Sequence, residues 1–261
     1  MSNDPGLQKM AFPFIRVAPR PSKPREAGLT VIADRGMGMH RVEDIIESAG
    51  EHVDWFKVAI GAWRLQSEAF LQKKITTLKK AGIRVFMAGD ACEAAFMQGV
   101  SKKFYQTVKS LGADAVEVSS AQVTMSLKNK CELIKMAAGE GLQVVAEAGQ
   151  KGHEDWTQSQ SYIFAQIDAY RKAGAWKVLV QGEGISEGVE EMKHALLLNL
   201  VARYDVNDFI FQAKDGASQF WFVNTFGNQV NLDIDDHQTI DVELMRRGIR
   251  KRGTFGLVGS M

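Results

Sequence analysis

Eight short apolar segments recur along the chain: L-T-V-I-A (29–33), W-F-K-V-A-I (55–60), I-R-V-F-M-A (83–88), A-V-E-V-S (115–119), L-Q-V-V-A-E (142–147), W-K-V-L-V-Q (176–181), F-I-F-Q-A (209–213) and V-N-L-D-I (230–234). Each has the length and the β-branched or aromatic content of a buried strand. Helical spacing fills most of the intervals. Val42, Ile45, Ile46 and Ala49 fall at i, i+3, i+4 and i+7, and Leu71-Ile75-Leu78, Phe104-Val108-Leu111 and Ile163-Ile167-Tyr170 fall at i, i+4 and i+7. Several of these stretches end on a glycine (Gly82, Gly112, Gly141, Gly174, Gly227), the residue that most readily closes a helix. Strands alternating with helices predict one parallel α/β domain. Eight strands close a (β/α)8 TIM-type barrel, whose usual size is about 250 residues. A doubly wound open sheet is the alternative. Against it, the loop after the first strand reads A-D-R-G-M-G-M-H and lacks the third glycine of a dinucleotide fingerprint.

All five prolines fall at or before Pro24. Proline removes a backbone donor and holds its predecessor extended, so residues 1–27 read as an N-terminal arm and 28–261 as the barrel domain. The 261 residues carry a net charge of +1, so no global field argues for nucleic acid or a membrane surface, and any anion site must be local. Cys92 and Cys131 form no Cys-x-x-Cys pair and read as packing residues. Ala11 to Ile15 is too short, and broken by Pro13, to be a signal-peptide core. A cytoplasmic protein is the expectation.

In a barrel the working residues sit at the C-terminal strand ends. Here those ends carry Asp34 and Arg35, Lys57 within the second strand, Asp90, Glu117 with Ser119 and Ser120, and Glu147 with Lys151. Further round come Gln181 and Glu183, Gln212 and Lys214, then Asn231, Asp233, Asp235 and His237. That is more polarity than strand-to-helix turns need. Glu147 and Lys151 are expected to face the mouth, unless they form a simple rim salt bridge. Lys57, inside W-F-K-V-A-I, needs a carboxylate or a ligand, because burying an unpaired ammonium is costly. Asp235-Asp236-His237 is a poor metal cluster, since adjacent loop side chains face apart. The run M-R-R-G-I-R-K-R-G (245–253) is either a solvated helix end or an anion clamp.

In this order, these residues resemble the phosphosulfolactate synthase family, including its plant heat-stress-associated relatives. The carriers are G-L-T-V-I-A-D-R-G (28–36), V-D-W-F-K-V-A-I-G (53–61), L-G-A-D-A-V-E-V-S (111–119), V-V-A-E-A-G-Q-K (144–151), F-G-N-Q-V-N-L-D-I (226–234) and L-M-R-R-G-I-R-K-R-G-T-F-G (244–256). The resemblance implies a barrel enzyme, a carbon–sulfur lyase that adds sulfite to phosphoenolpyruvate at the start of coenzyme M biosynthesis. It also implies Mg2+ dependence and a homo-oligomer, with a trimer as the expected state.

That chemistry assigns roles. Sulfite attacks C3 of the enol phosphate, charge develops on the carboxylate, and an acid protonates C2. Glu117 and Glu147 are the expected metal-side carboxylates, with Asp34 a third. Lys151 is the expected acid. Arg35, Lys57, Ser119, Arg246 and Arg247 are expected to meet the phosphate, carboxylate and sulfite oxygens. Against the archaeal pattern, Gln181 and Gln212 replace acidic strand ends, Glu183 replaces an arginine and Ser120 an aspartate. The D-D-H-Q-T-I-D stretch is closer to the plant relatives. Three alternatives stay open: a Schiff-base aldolase-like enzyme using Lys57, a diverged enzyme acting on another anion, and a non-catalytic stress factor.

Overall fold

The computed structural model of the protein describes residues 11–149 and 159–251. Its strands are β1 Thr30–Asp34, β2 Trp55–Val58, β3 Arg84–Met87, β4 Ala115–Val118, β5 Gln143–Ala148, β6 Lys177–Val180, β7 Phe209–Gln212 and β8 Leu232–Ile234. All pair in parallel and in chain order, and β8 returns to β1 to close the barrel. The helices are α1 Met39–Ala49, α2 Ala62–Leu65, α3 Glu68–Lys80, α4 Gly89–Met97, α5 Ser101–Ser110, α6 Leu127–Gly139, α7 Gln160–Ala173, α8 His194–Arg203, α9 Gly216–Phe226 and α10 Thr239–Arg246. The barrel expected from the sequence is therefore the fold observed, and the open sheet is excluded. Gly174 shows why glycine closes these helices: its φ of 105° lies in the left-handed region, which a Cβ disfavours. No helix among the described residues is long and apolar enough to cross a membrane.

Strand side chains alternate between faces, so one register decides what enters the barrel. Leu29, Val31, Trp55, Phe86, Ala115, Val145, Leu179 and Ile210 pack together inside its lower part. Trp55 meets Phe86 edge-on, with ring centroids 5.9 Å apart. Two residues further along five of these strands, the same inward face changes character. Trp55 is followed by Lys57, Ala115 by Glu117, Val145 by Glu147, Leu179 by Gln181 and Ile210 by Gln212. The other face, with Ile32, Phe56, Val58, Val85 and Val116, packs against the helices in the larger core. Apolar packing thus plugs the bottom of the barrel, and the polar layer forms the floor of its mouth.

The N-terminal ends of the strands form the opposite pole. Residues 18–25 pass beneath it. There Arg25 donates to Asp54 Oδ1 (3.0 Å) and to the Glu51 carbonyl (2.6 Å), and Arg20 donates to the Gly28 carbonyl (2.7 Å) and to Glu243 (3.3 Å).

Candidate active site

Lys57 lies at the centre of the mouth. Its Nζ donates to Asp233 Oδ2 and lies 3.4 Å from Glu117 Oε2. Ala33, the β1 residue level with Lys57, offers only a methyl, so the lysine reaches past β1 to β8. Asp233 Oδ1 accepts from Lys214 Nζ at 2.5 Å. Burial alone would depress the Lys57 pKa, but Asp233 and Glu117 outweigh it and hold the group above its ordinary value. Burial alone would raise Asp233; the Lys214 and Lys57 ammoniums hold it below the usual carboxylate range. The result is a fixed ion cluster. An apolar strand lowering the Lys57 pKa, which a Schiff-base amine requires, is not what the structure provides.

Glu117 Oε1 accepts from the Gly89 N–H at 3.2 Å. Only glycine allows this approach, since a Cβ on residue 89 would lie 2.9 Å from that oxygen and 2.0 Å from Ser119 Oγ. Glu147 points into the mouth from β5, and Lys130 on α6 braces its carbonyl at 2.9 Å. Burial pushes the Lys130 pKa down against the pull of Glu147. Ser119 reaches the cavity wall, but its hydroxyl donates to Glu93. Glu93 also accepts the N–H groups of Ala121, Gln122 and Val123 (2.9, 2.7 and 2.7 Å), and so fixes the loop after β4. Arg35 stands at the rim with its side chain 60% exposed, 3.7 Å from Asp235.

These groups line a cavity of about 400 Å³ with Asp90, Gln122, Gln181, Gln212 and Lys214, a size suited to a small ligand. Burial raises the pKa of Asp90 against backbone N–H groups at the start of α4.

Three expected site residues lie elsewhere. Asp34 is one step off the inward register. Its Oδ2 accepts from Lys74 of α3 at 2.7 Å and its Oδ1 from the N–H groups of Gly36 and Met37, so it secures the first βα turn behind the barrel wall. Arg246 is wholly buried at the opposite pole, donating to Thr30 Oγ1 and to the carbonyls of Leu29 (3.1 Å) and Val230 (2.8 Å). Arg247 pairs there with Glu243 at 2.7 Å. In this fold helices run from the mouth back to the strand N-termini, and both arginines close α10, so the chain path carries them away from any mouth ligand. Lys151 lies outside the described residues.

The donor set fits Mg2+ in one way. Among the described residues, no group of three or more His, Cys, Asp or Glu side chains could hold a metal. Glu117 and Glu147 remain as inward carboxylates of the mouth, with the Gln181 and Gln212 amides beside them. Mg2+ is commonly held by one or two carboxylates, substrate oxygens and water. The cysteines take no part. Burial pushes the Cys92 thiol up to about 12, beside Tyr105.

Local sequence pattern assigns no role to Asp233, Lys214, Asp90 or Glu93, although the first three fall at strand ends. Glu93 carries no local signal, because only the folded α4 brings it to the β4 loop.

Comparison with known proteins supports the fold and gives the family. A solved structure of phosphonopyruvate hydrolase superposes with a TM-score of 0.57, covering 84% of this chain and 79% of that one at 13% identity, which speaks for the fold alone. A curated relative, the phosphosulfolactate synthase of Methanocaldococcus jannaschii, is 31% identical over 89% of this chain and 96% of its own length. The Arabidopsis thaliana protein HEAT-STRESS-ASSOCIATED 32 is 21% identical over 87% of this chain and 88% of its own. The family model for (2R)-phospho-3-sulfolactate synthase (ComA) matches residues 18–252. Because that model matches nearly the whole chain, and a curated synthase is 31% identical over 89% of it, the chain belongs to the phosphosulfolactate synthase family.

Proposed function

We propose that this protein joins sulfite to phosphoenolpyruvate to form phosphosulfolactate. The observation that carries the reading is the Lys57–Asp233–Lys214 cluster, with Glu117 3.4 Å from Lys57, at one small cavity. Two lysine ammonium groups sharing one buried carboxylate suit a substrate with several anionic oxygens. The sulfite sulfur donates its lone pair to C3, the C2–C3 π electrons move toward the carboxylate, and C2 then takes a proton. The C–O–P ester is kept throughout.

Glu117 and Glu147 would hold Mg2+, which when bound neutralises charge developing on the substrate carboxylate. Among the described residues of the mouth, three cations (Arg35, Lys57, Lys214) face four carboxylates (Asp90, Glu117, Glu147, Asp233). Lys57 and Lys214 orient substrate oxygens from the β8 side, and Arg35 meets them at the rim. Lys151 is the proton donor to C2 in this reading. Ser119 contributes its oxygen at the wall.

A Schiff-base aldolase is disfavoured by the charged state of Lys57. A purely non-catalytic role leaves the burial of this ion cluster, which is costly to maintain, without a purpose. The apolar side chains of Phe12, Phe14 and Ile15, exposed in the single chain, support a homo-oligomer, with a trimer as the proposed state. Both cysteines are free thiols, the state a reducing cytoplasm maintains. The function is tested by following the enol absorbance of phosphoenolpyruvate. Its loss is expected only with sulfite and Mg2+ both present; loss without sulfite would refute the reading.

A further inference from the structure

The mouth has two chemically different walls. On β4 and β5 it presents the carboxylates of Glu117 and Glu147. On β6 and β7 it presents the amides of Gln181 and Gln212 and the ammonium of Lys214. Gln181 is 1% exposed, and its Nε2 is buried with no hydrogen-bond partner among the described residues. A buried amide donor left unmade is unfavourable, which marks it as waiting for an acceptor. Turning the amide about its last torsion exchanges nitrogen and oxygen at little cost, so its donors can meet a ligand in the cavity.

The space for this side chain is built in. Gly149, φ 98°, stands beside Gln181, and a Cβ there would come within 3.3 Å of the glutamine's own Cβ. The neighbouring Gln212 Oε1 accepts from the Gly182 N–H at 3.4 Å. Lys214 is fixed from both sides. Its N–H donates to Glu187 at 2.7 Å and its carbonyl accepts from Gln238 at 2.7 Å. Of its three ammonium donors, Asp233 takes one; Asp235, at 3.7 Å, is in ion-pair range but beyond hydrogen-bond reach.

We propose that Gln181 and Lys214 form the subsite for the sulfite nucleophile, separate from the carboxylate wall that suits a metal ion. This rests on the reading that the enzyme joins sulfite to phosphoenolpyruvate. Amide and ammonium donors bind the sulfite oxygens and leave the sulfur lone pair free to form the C–S bond. Neutral amides here also spare the incoming anion the repulsion that carboxylates would impose. A metal-binding role for Gln181 makes the opposite forecast, because a carboxylate there would strengthen Mg2+ binding.

The experiment compares wild type with Gln181→Glu, Gln181→Met and Lys214→Met. It uses steady-state kinetics in each substrate, sulfite titration by calorimetry, and circular dichroism to confirm folding. The sulfite KM and Kd are expected to rise about tenfold or more in all three variants, with the phosphoenolpyruvate KM of the two Gln181 variants within about threefold of wild type. An unchanged sulfite Kd in the folded variants overturns the subsite. So does tighter Mg2+ binding in Gln181→Glu with sulfite affinity kept. A wild type that binds sulfite through Gln181 without turning it over supports the subsite and refutes the proposed function. A wild type that turns over while every variant keeps its sulfite KM does the reverse.

Discussion

Lys57 on β2 reaches past β1 to bond the carboxylate of Asp233 on β8, and so ties two non-adjacent strands together at the level where substrate would sit. Lys214 takes the second oxygen of the same carboxylate. Asp233 is therefore the residue whose loss disturbs most. Asp233→Asn leaves two ammoniums short of a partner, and breaking such a buried pair typically costs about 3–5 kcal/mol. Urea unfolding is expected to show a loss of that order, and kcat/KM to fall by about a hundredfold or more. Because the folded pKa of Asp233 is depressed, its stabilisation is present above the unfolded carboxyl value, about 3.9, and is lost as pH falls through the folded value. The wild-type advantage over Asp233→Asn should thus be flat at neutral pH and shrink only in acid.

Lys57 behaves in the opposite sense. Its folded pKa is raised, so its stabilisation is complete below the unfolded lysine value, about 10.4, and is lost only as pH rises through the folded value. The stability difference between wild type and Lys57→Met should be constant from pH 6 to about pH 9. Borohydride with pyruvate should leave Lys57 unmodified by mass spectrometry. A reduced adduct on Lys57 would contradict its assignment as a permanent cation.

Arg246→Ala should act on the fold and not on the substrate. The side chain ties the starts of β1 and the β8 approach together through three acceptors, and its removal is expected to cost about 2–4 kcal/mol. The phosphoenolpyruvate KM of the folded fraction should not change. A raised KM with unaltered unfolding would return Arg246 to the mouth.

Asp90 is raised by burial, so its folded carboxyl favours the proton more than the unfolded one does. Stability is then complete below the unfolded carboxyl value and declines as pH rises through the folded value. Asp90→Asn removes that decline. The variant is expected to melt a few degrees above wild type at pH 7, with the gap closing in acid; a gap independent of pH would refute the role of ionisation.

The fold and much of the floor were legible because strand alternation is a strict rule. Trp55 and Lys57, Ala115 and Glu117, Val145 and Glu147 share parity, so an inward apolar residue fixes its polar successor as inward. The same rule tells against Asp34, which shares parity with the outward Ile32 and was drawn to the site only by its place at a strand end. Arg246 and Arg247 lie at the opposite pole, and a run of basic residues says nothing about which pole of the barrel it reaches. Chain direction settles that. Asp233 and Lys214 could be placed at strand ends, but their sharing of one carboxylate with Lys57 is a tertiary fact that no local spacing encodes.

The most direct test of the account follows the carbon that sulfite attacks. Phosphoenolpyruvate labelled with carbon-13 at C3 is incubated with the protein, sulfite and Mg2+, and the products are read by carbon and phosphorus magnetic resonance. The expected result is a single product in which labelled C3 has become a saturated carbon bonded to sulfur, C2 carries a new hydrogen and the phosphate ester is intact. Labelled pyruvate with free phosphate, or phosphoenolpyruvate left unchanged by protein that binds both substrates, would contradict it.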